Sequence, residues 1–407
     1  MTSQEKIGCL ALGSGFDSLG GGAEGVEADL SKIETLGGGT RYDICASTAT
    51  KRSVSGVERV GSVSKGGLCH SFTPDGRCVS LFKTLYTNSC GHECNYCQNA
   101  STCTKPGKKY AYTPEELAEI TMRLYRGNYI EGLFLSSGTG GDENETMEKM
   151  IEAARILRTK HKFQGYVHLK ILPGASRENI RQAMELADRV SINLEAPSKT
   201  YMSEMSPTKD YVKDIILRQR YVKELSRSVR LPAGQTTQLV VGAAGETDRD
   251  IFQRMLYEYS EIGLKRTYYS VFTPLDGTGF SDREKQPPWR EHRLYQMDWL
   301  YRVYRMPRKE IELAFDGSGF LPDMDPKTAI ARQTLDSVVD PNTAEYDELV
   351  RVPGIGPRSA ERIIMARSNR KITKSRELQA LGVRIKRAKT FLEINGWRDT
   401  NLTRWLT

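Results

Sequence analysis

The chain has no uninterrupted apolar stretch near the roughly 18 residues a bilayer-crossing helix needs, which argues against a membrane protein. Its N-terminus lacks a basic segment followed by a clean apolar core and cleavage site, so a cytoplasmic location is expected. Cysteine is absent after Cys103: all 8 (Cys9, Cys45, Cys69, Cys78, Cys90, Cys94, Cys97 and Cys103) fall within the first 103 of 407 residues. A disulfide-stapled secreted domain is short and carries cysteines throughout, so this clustering points to metal or redox chemistry. The first 350 residues also lack a basic excess, with 45 Lys and Arg against 47 Asp and Glu. Residues 351–407 hold 14 against 4, so the net charge of +8 belongs to the C-terminal end. Such asymmetry is the footprint of a nucleic-acid-binding module, or simply of a solvated helical surface.

A chain of this length with 38% hydrophobic residues can build a large domain and a smaller one. Residues 1–40 contain three glycine clusters and no sustained periodicity, which predicts a mobile leader. Residues 41–78 read as an irregular cap with turn signals such as Pro74-Asp-Gly76. From Val79 short apolar runs alternate with amphipathic segments. Strands are expected at 79–86, 130–136, 165–171, 189–194, 237–242 and 267–272, with helices near 144–160, 176–187, 209–228, 247–262 and 289–305. Another helix is expected from Thr113-Pro-Glu-Glu116, where Thr caps, Pro takes the first position and Glu closes a capping box. This alternation implies parallel strands joined by right-handed crossovers. The expected fold is α/β, a partial TIM-like barrel of six βα units over 79–306. A linker at 307–339 and a compact, all-α basic module at 340–407 follow.

In such a barrel the chemistry lies where the strands end and the βα loops converge. The unusual residues fall there. Cys90-Gly-His-Glu-Cys94-Asn-Tyr-Cys97 follows strand one, Ser136-Ser-Gly-Thr-Gly-Gly141 strand two, Pro173-Gly174 strand three and Gly242-Ala-Ala-Gly-Glu246 strand five, while Glu195 ends strand four. Three thiolates can ligate three irons of a 4Fe-4S cubane and leave the fourth without a protein ligand. Zinc is the competitor, since Cys94-x2-Cys97 is a common zinc pair, although His92 is poorly placed to complete its set. His168 and Lys170 share one face of strand three and could bind substrate. Tyr268 and Tyr269 on strand six cannot both point inward, because side chains alternate. Cys45, Cys69, Cys78 and Cys103 could hold a second cluster or donate a thiol hydrogen, against the commoner reading of inert buried thiols.

The C-x3-C-x2-C loop, with Tyr96 before its third cysteine, resembles the radical S-adenosylmethionine (SAM) superfamily, and the likeness runs through all six βα units. It implies Cys90, Cys94 and Cys97 as cluster ligands and SAM chelated at the open iron. One-electron reduction, from a donor such as flavodoxin or ferredoxin, would then release a 5′-deoxyadenosyl radical that abstracts a substrate hydrogen. The resemblance also places Tyr96, Ser136, Ser137 and Gly138 at the cofactor. Ser191, Asn193 and Glu195 match its ribose or methionine contacts, and Gly242 and Glu246 its adenine-facing glycine motif. Ser-Ser-Gly-Thr departs from the family's Gly-Gly-Glu-type segment. The lack of a late cysteine disfavours a mechanism like that of spore photoproduct lyase.

Leu349-Val-Arg-Val-Pro-Gly-Ile-Gly356-Pro-Arg-Ser-Ala360 resembles a helix-hairpin-helix DNA-binding motif, preceded by the lead-in Asp340-Pro-Asn-Thr-Ala344. Gly354 and Gly356 would let backbone amides approach a phosphate at a helix N-terminus. Arg358, Arg362, Lys386, Arg387 and Arg351 would add salt-sensitive phosphate affinity. A radical-generating barrel joined to such a module resembles a bacterial group of DNA modification or repair radical SAM proteins associated with a uracil-DNA-glycosylase-like partner. The alternatives are an RNA-modifying radical enzyme and a non-catalytic iron-sulfur DNA-binding protein.

Overall fold

The structure, a computed structural model, describes residues 30–40, 68–72, 78–335, 338–394 and 396–398. Two compact units divide the chain: one runs to Glu246 and includes Arg254–Gln286, the other comprises Thr247–Gln253 and everything from Pro287.

The first unit is a curled sheet. It begins with α1 (Leu30–Gly38) and an antiparallel pair, β1 (Leu68–Phe72) and β2 (Cys78–Leu85). Then come α2 (Pro114–Arg126), β3 (Gly132–Ser136), α3 (Glu143–Thr159), β4 (Tyr166–Lys170), α4 (Arg177–Leu186) and β5 (Arg189–Ser191). It continues through α5 (Lys199–Met205), a π-helical turn leading into α6 (Leu217–Leu225), β6 (Gly234–Val241), the part of α7 (Asp248–Tyr257) from Arg254 on, and β7 (Arg266–Val271). Strands β2 to β7 pair in sequence order and all in parallel, so they curl into a half-barrel of six strands. Parallel strands covered on both faces read as unbroken apolar runs, and all five residues of β3 are buried.

Caps set the helix starts. The Thr113 hydroxyl accepts from Glu116 N, and the Glu116 carboxylate accepts in return from Thr113 N. Asp142 and Ser176 cap α3 and α4 in the same way, accepting from Glu145 N and Asn179 N.

Three departures from expectation have physical causes. Residues 30–40 do not continue a leader. Ile33 and Leu36 are buried, and Lys32 forms an ion pair with Glu116. β5 stops at Ser191 rather than 194 because the Thr237 hydroxyl enters the ladder, donating to Ile192 O (2.7 Å) and accepting from Leu194 N (3.0 Å). Pairing resumes at Glu195, whose φ of 62° is left-handed and strained for a residue with a side chain. Residues 307–339, expected as a linker, contain α9 (Arg308–Ile311) and α10 (Pro326–Thr334).

The second unit also takes α8 (Pro288–Arg302), expected as the last barrel helix, followed after α10 by α11 (Tyr346–Arg351), α12 (Pro357–Asn369), α13 (Ser375–Ala380), α14 (Ile385–Ala388) and a small pair β8 (Glu393–Ile394) and β9 (Trp397–Arg398). Its core includes Leu349, Val352, Ile355, Ala360 and Ile363. Two side chains clip the lead-in to α12 and the residues just after it: Asn342 donates to Ile372 O and accepts from Ile372 N, and Arg367 donates to Pro341 O and Ala344 O. Asp248 and Arg290, both buried, form an ion pair at 2.9 Å, and Asp248 also accepts from Leu321 N. No helix among the described residues is long and apolar enough to cross a membrane.

Candidate active site and nucleic-acid interface

A cleft of about 1230 Å³, continuous with solvent, opens where the six parallel strands end. Cys90, Cys94 and Cys97 all line it. Their loop is held from several sides: Asn95 N donates to Met205 O, Phe280 N to Asn95 O, and Thr104 N to Gly277 O. The next loop lies directly on it, with Gly138 N bonded to Thr87 O and Gly140 N to Ser89 O. A Cβ on Gly138 would sit 2.2 Å from Ser89 O, so only glycine permits this approach.

Each sulfur has a polar neighbour. Cys90 Sγ is 3.4 Å from the Thr139 hydroxyl, Cys94 Sγ is 3.3 Å from the Ser206 hydroxyl, and Asn99 N donates to Cys97 Sγ at 3.4 Å. Burial pushes the Cys97 thiol up to about 12, and the neighbouring Cys94 adds to it. Thiolate formation there therefore calls for added positive charge, which a metal centre supplies. Among the described residues no group of three or more His, Cys, Asp or Glu side chains is placed to hold a single metal ion. Three sulfurs on three different irons of a cubane have no need to converge as ligands of one zinc do. Three thiols lining one cavity form a donor set that fits a cluster with one open iron.

Tyr96, Ser136, Ser137, Gly138, Asn193, Glu195 and Lys170 share the cavity wall with the thiols. Asn193 donates to the Glu195 carboxylate at 3.1 Å. Burial raises the Tyr96 hydroxyl well above the ordinary tyrosine range, with Glu195, Cys94 and Cys97 acting in the same sense.

Other expected residues lie elsewhere. Ser191 and His168 bond to each other at 2.9 Å beneath the cavity. The buried Glu246 folds its carboxylate back onto Gly242 N and Ala244 N, closing its own turn, and neither Gly242 nor Glu246 lines the cavity. Tyr268 accepts from Arg189 at 3.1 Å, and Tyr269, fully buried, lies on the opposite face of the strand; neither lines the cavity. Cys45 lies outside the described residues. Cys69 and Cys78 sit at opposite ends of the β1–β2 pair, and Cys103 is buried and does not line the cavity.

Lys209 was not expected. It lines the cavity beside Cys94 and Glu195; burial alone would lower its ammonium, but Cys94, Glu195 and Cys90 together hold it above its ordinary value. It belongs to no motif, and nothing in the local sequence Pro207-Thr-Lys marks it.

In the second unit Gly354 adopts φ 88° and its carbonyl accepts from Arg384 N, while Gly356 is the N-cap of α12. Gly382, at φ 93° between α13 and α14, lines the same hollow as Gly354 and Gly356, together with Arg384, Arg387 and Trp299. Arg358, Arg362, Lys386 and Arg387 are exposed. Arg387 also reaches Asp325 at 3.2 Å. Arg351 is not free for phosphate, being held in a two-point ion pair by Glu310. Buried Lys327 supports the hairpin from behind by donating to Ile355 O; burial brings its ammonium down to about 7, with Asp325 opposing.

Residues 84–255 match the family model described as the Radical SAM superfamily, and residues 336–393 match the helix-hairpin-helix motif. Solved structures similar to the chain include methylornithine synthase PylB, at 14% identity over 56% of this chain and 63% of that one, with a TM-score of 0.45. The hydrogenase maturase HydG from Carboxydothermus hydrogenoformans is 12% identical over 50% and 47%, with a TM-score of 0.41. The radical SAM methyltransferase TsrM from Kitasatospora setae is 12% identical over 49% and 38%, with a TM-score of 0.38. The chain thus spans less than two thirds of the length of each of these structures. No curated protein matches it in sequence.

Proposed function

We propose that this chain is a radical SAM enzyme, that its substrate is DNA and that it modifies or repairs a base or sugar there; the match of residues 84–255 to the Radical SAM superfamily model and of residues 336–393 to the helix-hairpin-helix motif supports this reading. The superfamily's cofactors are a 4Fe-4S cluster and SAM, which together supply a carbon-centred radical able to take a hydrogen atom from an unreactive C–H bond. In this reading Cys90, Cys94 and Cys97 hold the cluster. Tyr96, Ser136, Ser137, Gly138, Asn193 and Glu195 orient SAM. Ser191, Gly242 and Glu246 act from behind this wall, fixing the backbone that carries it.

The observation that carries the DNA assignment is the paired hairpins of the second unit. Gly354 and Gly382, both left-handed, flank exposed Arg358 and Arg387 at the start of α12 and on α14. Amides at such a turn and helix N-terminus hold a phosphate without reading bases. A cytoplasmic setting, a one-electron donor of the flavodoxin or ferredoxin kind and a uracil-DNA-glycosylase-like partner go with this reading.

The test is anaerobic turnover of the cluster-loaded protein with SAM, dithionite and DNA deuterated at chosen positions. Deuterium in 5′-deoxyadenosine would identify the attacked position. Competition between duplex DNA, single-stranded DNA and transfer RNA across a salt series separates the polymers, and a clear preference for transfer RNA would sink the DNA assignment. Absence of 5′-deoxyadenosine with every polymer would leave the iron-sulfur DNA-binding alternative.

A further inference from the structure

A basic layer lies directly beneath the candidate cofactor cavity. Leu85 and Lys170 line the cavity, and side chains alternate along a strand. Lys83 and His168, two residues earlier on β2 and β4, therefore form the next layer down. Lys83 is fully buried, and among the described residues its ammonium has neither a hydrogen bond nor an ion pair. It lies over the face of Phe134, 5.2 Å from Nζ to the ring centroid. That ring packs edge-on against His168, with centroids 4.3 Å apart.

Burying an ammonium without an acceptor is costly, and an apolar residue would fit the layer better. The other charges around His168 do nothing to offset it. Burial, then Arg189, Lys83 and Lys170 in turn, hold the imidazole neutral, and all three of those neighbours are basic. The layer is thus an enclosed concentration of positive charge, one side-chain step below the cavity-lining Lys170.

We propose that Lys83, with His168 beside it and Lys170 above, forms a seat for an anionic oxygen group of the substrate, a phosphate or a carboxylate entering through the cavity. Charge-assisted hydrogen bonds in a water-poor site are strong enough to anchor one end of a substrate. The rest of the molecule would then be directed up toward the thiol rim. This rests on the barrel being the catalytic domain, and is independent of whether the substrate is DNA.

The test measures binding to the full chain by calorimetry with matched probes: thymidine 5′-monophosphate against thymidine, and succinate against succinamide. At least one anion should bind tenfold or more tightly than its neutral counterpart, and the pair that shows it tells phosphate from carboxylate. Lys83→Met should abolish that preference and raise the melting temperature, because the layer loses an uncompensated charge. The imidazole signal of His168, assigned through His168→Gln, should titrate at higher pH once the anion is bound. The proposal is overturned if neither anion beats its neutral partner, or if the preference survives Lys83→Met, which would put the anion elsewhere, as at the Gly354 hairpin. Should Lys83→Met not fold, Lys170→Met carries the same comparison. Iron loading and 5′-deoxyadenosine formation, measured separately without probe, show whether the catalytic reading itself stands.

Discussion

Nε2 of His168 and the hydroxyl of Ser191 lie 2.9 Å apart, tying β4 to β5 inside the half-barrel. The contact takes the Ser191 hydroxyl away from the cavity wall and fixes one nitrogen of a buried imidazole. The burial of that imidazole makes stability depend on pH.

Burial and three basic neighbours hold folded His168 well below the ordinary histidine value. Below about 6.5 the unfolded chain takes up a proton that the folded chain refuses, so stability is complete above that pH and falls as pH drops. The slope from this group approaches ~1.4 kcal/mol per pH unit. His92, lowered to about 4 chiefly by burial, acts in the same sense between 6.5 and 4. His168→Gln should therefore remove about one proton's worth of slope, read from urea unfolding at pH 7 and pH 5. An unchanged slope would count against this assignment.

Cys90→Ala, Cys94→Ala and Cys97→Ala should each drop bound iron and sulfide toward zero and abolish 5′-deoxyadenosine formation. Binding to duplex DNA should persist, because the hairpins lie in a separate compact unit. Loss of DNA binding in all three would tie the cluster to that function instead.

Glu195 combines a left-handed backbone with a carboxylate on the cavity wall, the kind of strain that functional sites retain. Replacing a charged hydrogen-bonding group costs about 1.5–3 kcal/mol. Glu195→Gln should accordingly weaken SAM binding roughly tenfold or more, measured by equilibrium dialysis on cluster-loaded protein.

A Cβ on Gly354 would meet Arg384 O at 2.6 Å, and φ is 88°. Gly354→Ala should cost about 1–3 kcal/mol in the second unit and abolish DNA binding. Arg358→Ala should instead leave folding intact, weaken all sequences alike and reduce the salt slope by about 1. Filter binding across a salt series distinguishes the two.

The Asp248–Arg290 pair is buried on both sides. Removing one partner strands the other, so Arg290→Ala should destabilise by about 3–5 kcal/mol. Calorimetric unfolding would show it, and a near-neutral result would mean that water reaches Asp248.

Short-range chemistry was legible from the amino acids alone. The capping box at Thr113, the glycine at 354 and the alternation of strands and helices each depend on residues within a few positions of one another. So did the spacing of Cys90, Cys94 and Cys97, and with it the resemblance that named their chemistry. Local hydrogen bonds and periodicities are written into adjacent residues and survive whatever surrounds them.

Tertiary structure decided what surrounds each side chain. The Thr237 hydroxyl ends β5 from another strand, Ser206 reaches Cys94 across 112 positions, and Lys209 joins the thiols without belonging to a motif. Ile33 and Leu36 become core only because an apolar surface is there to receive them. Glu246 and Arg351 look available in one dimension, and a turn and a carboxylate claim them in three. Burial and pairing depend on which distant residues the sheet brings together, and no local pattern contains that information.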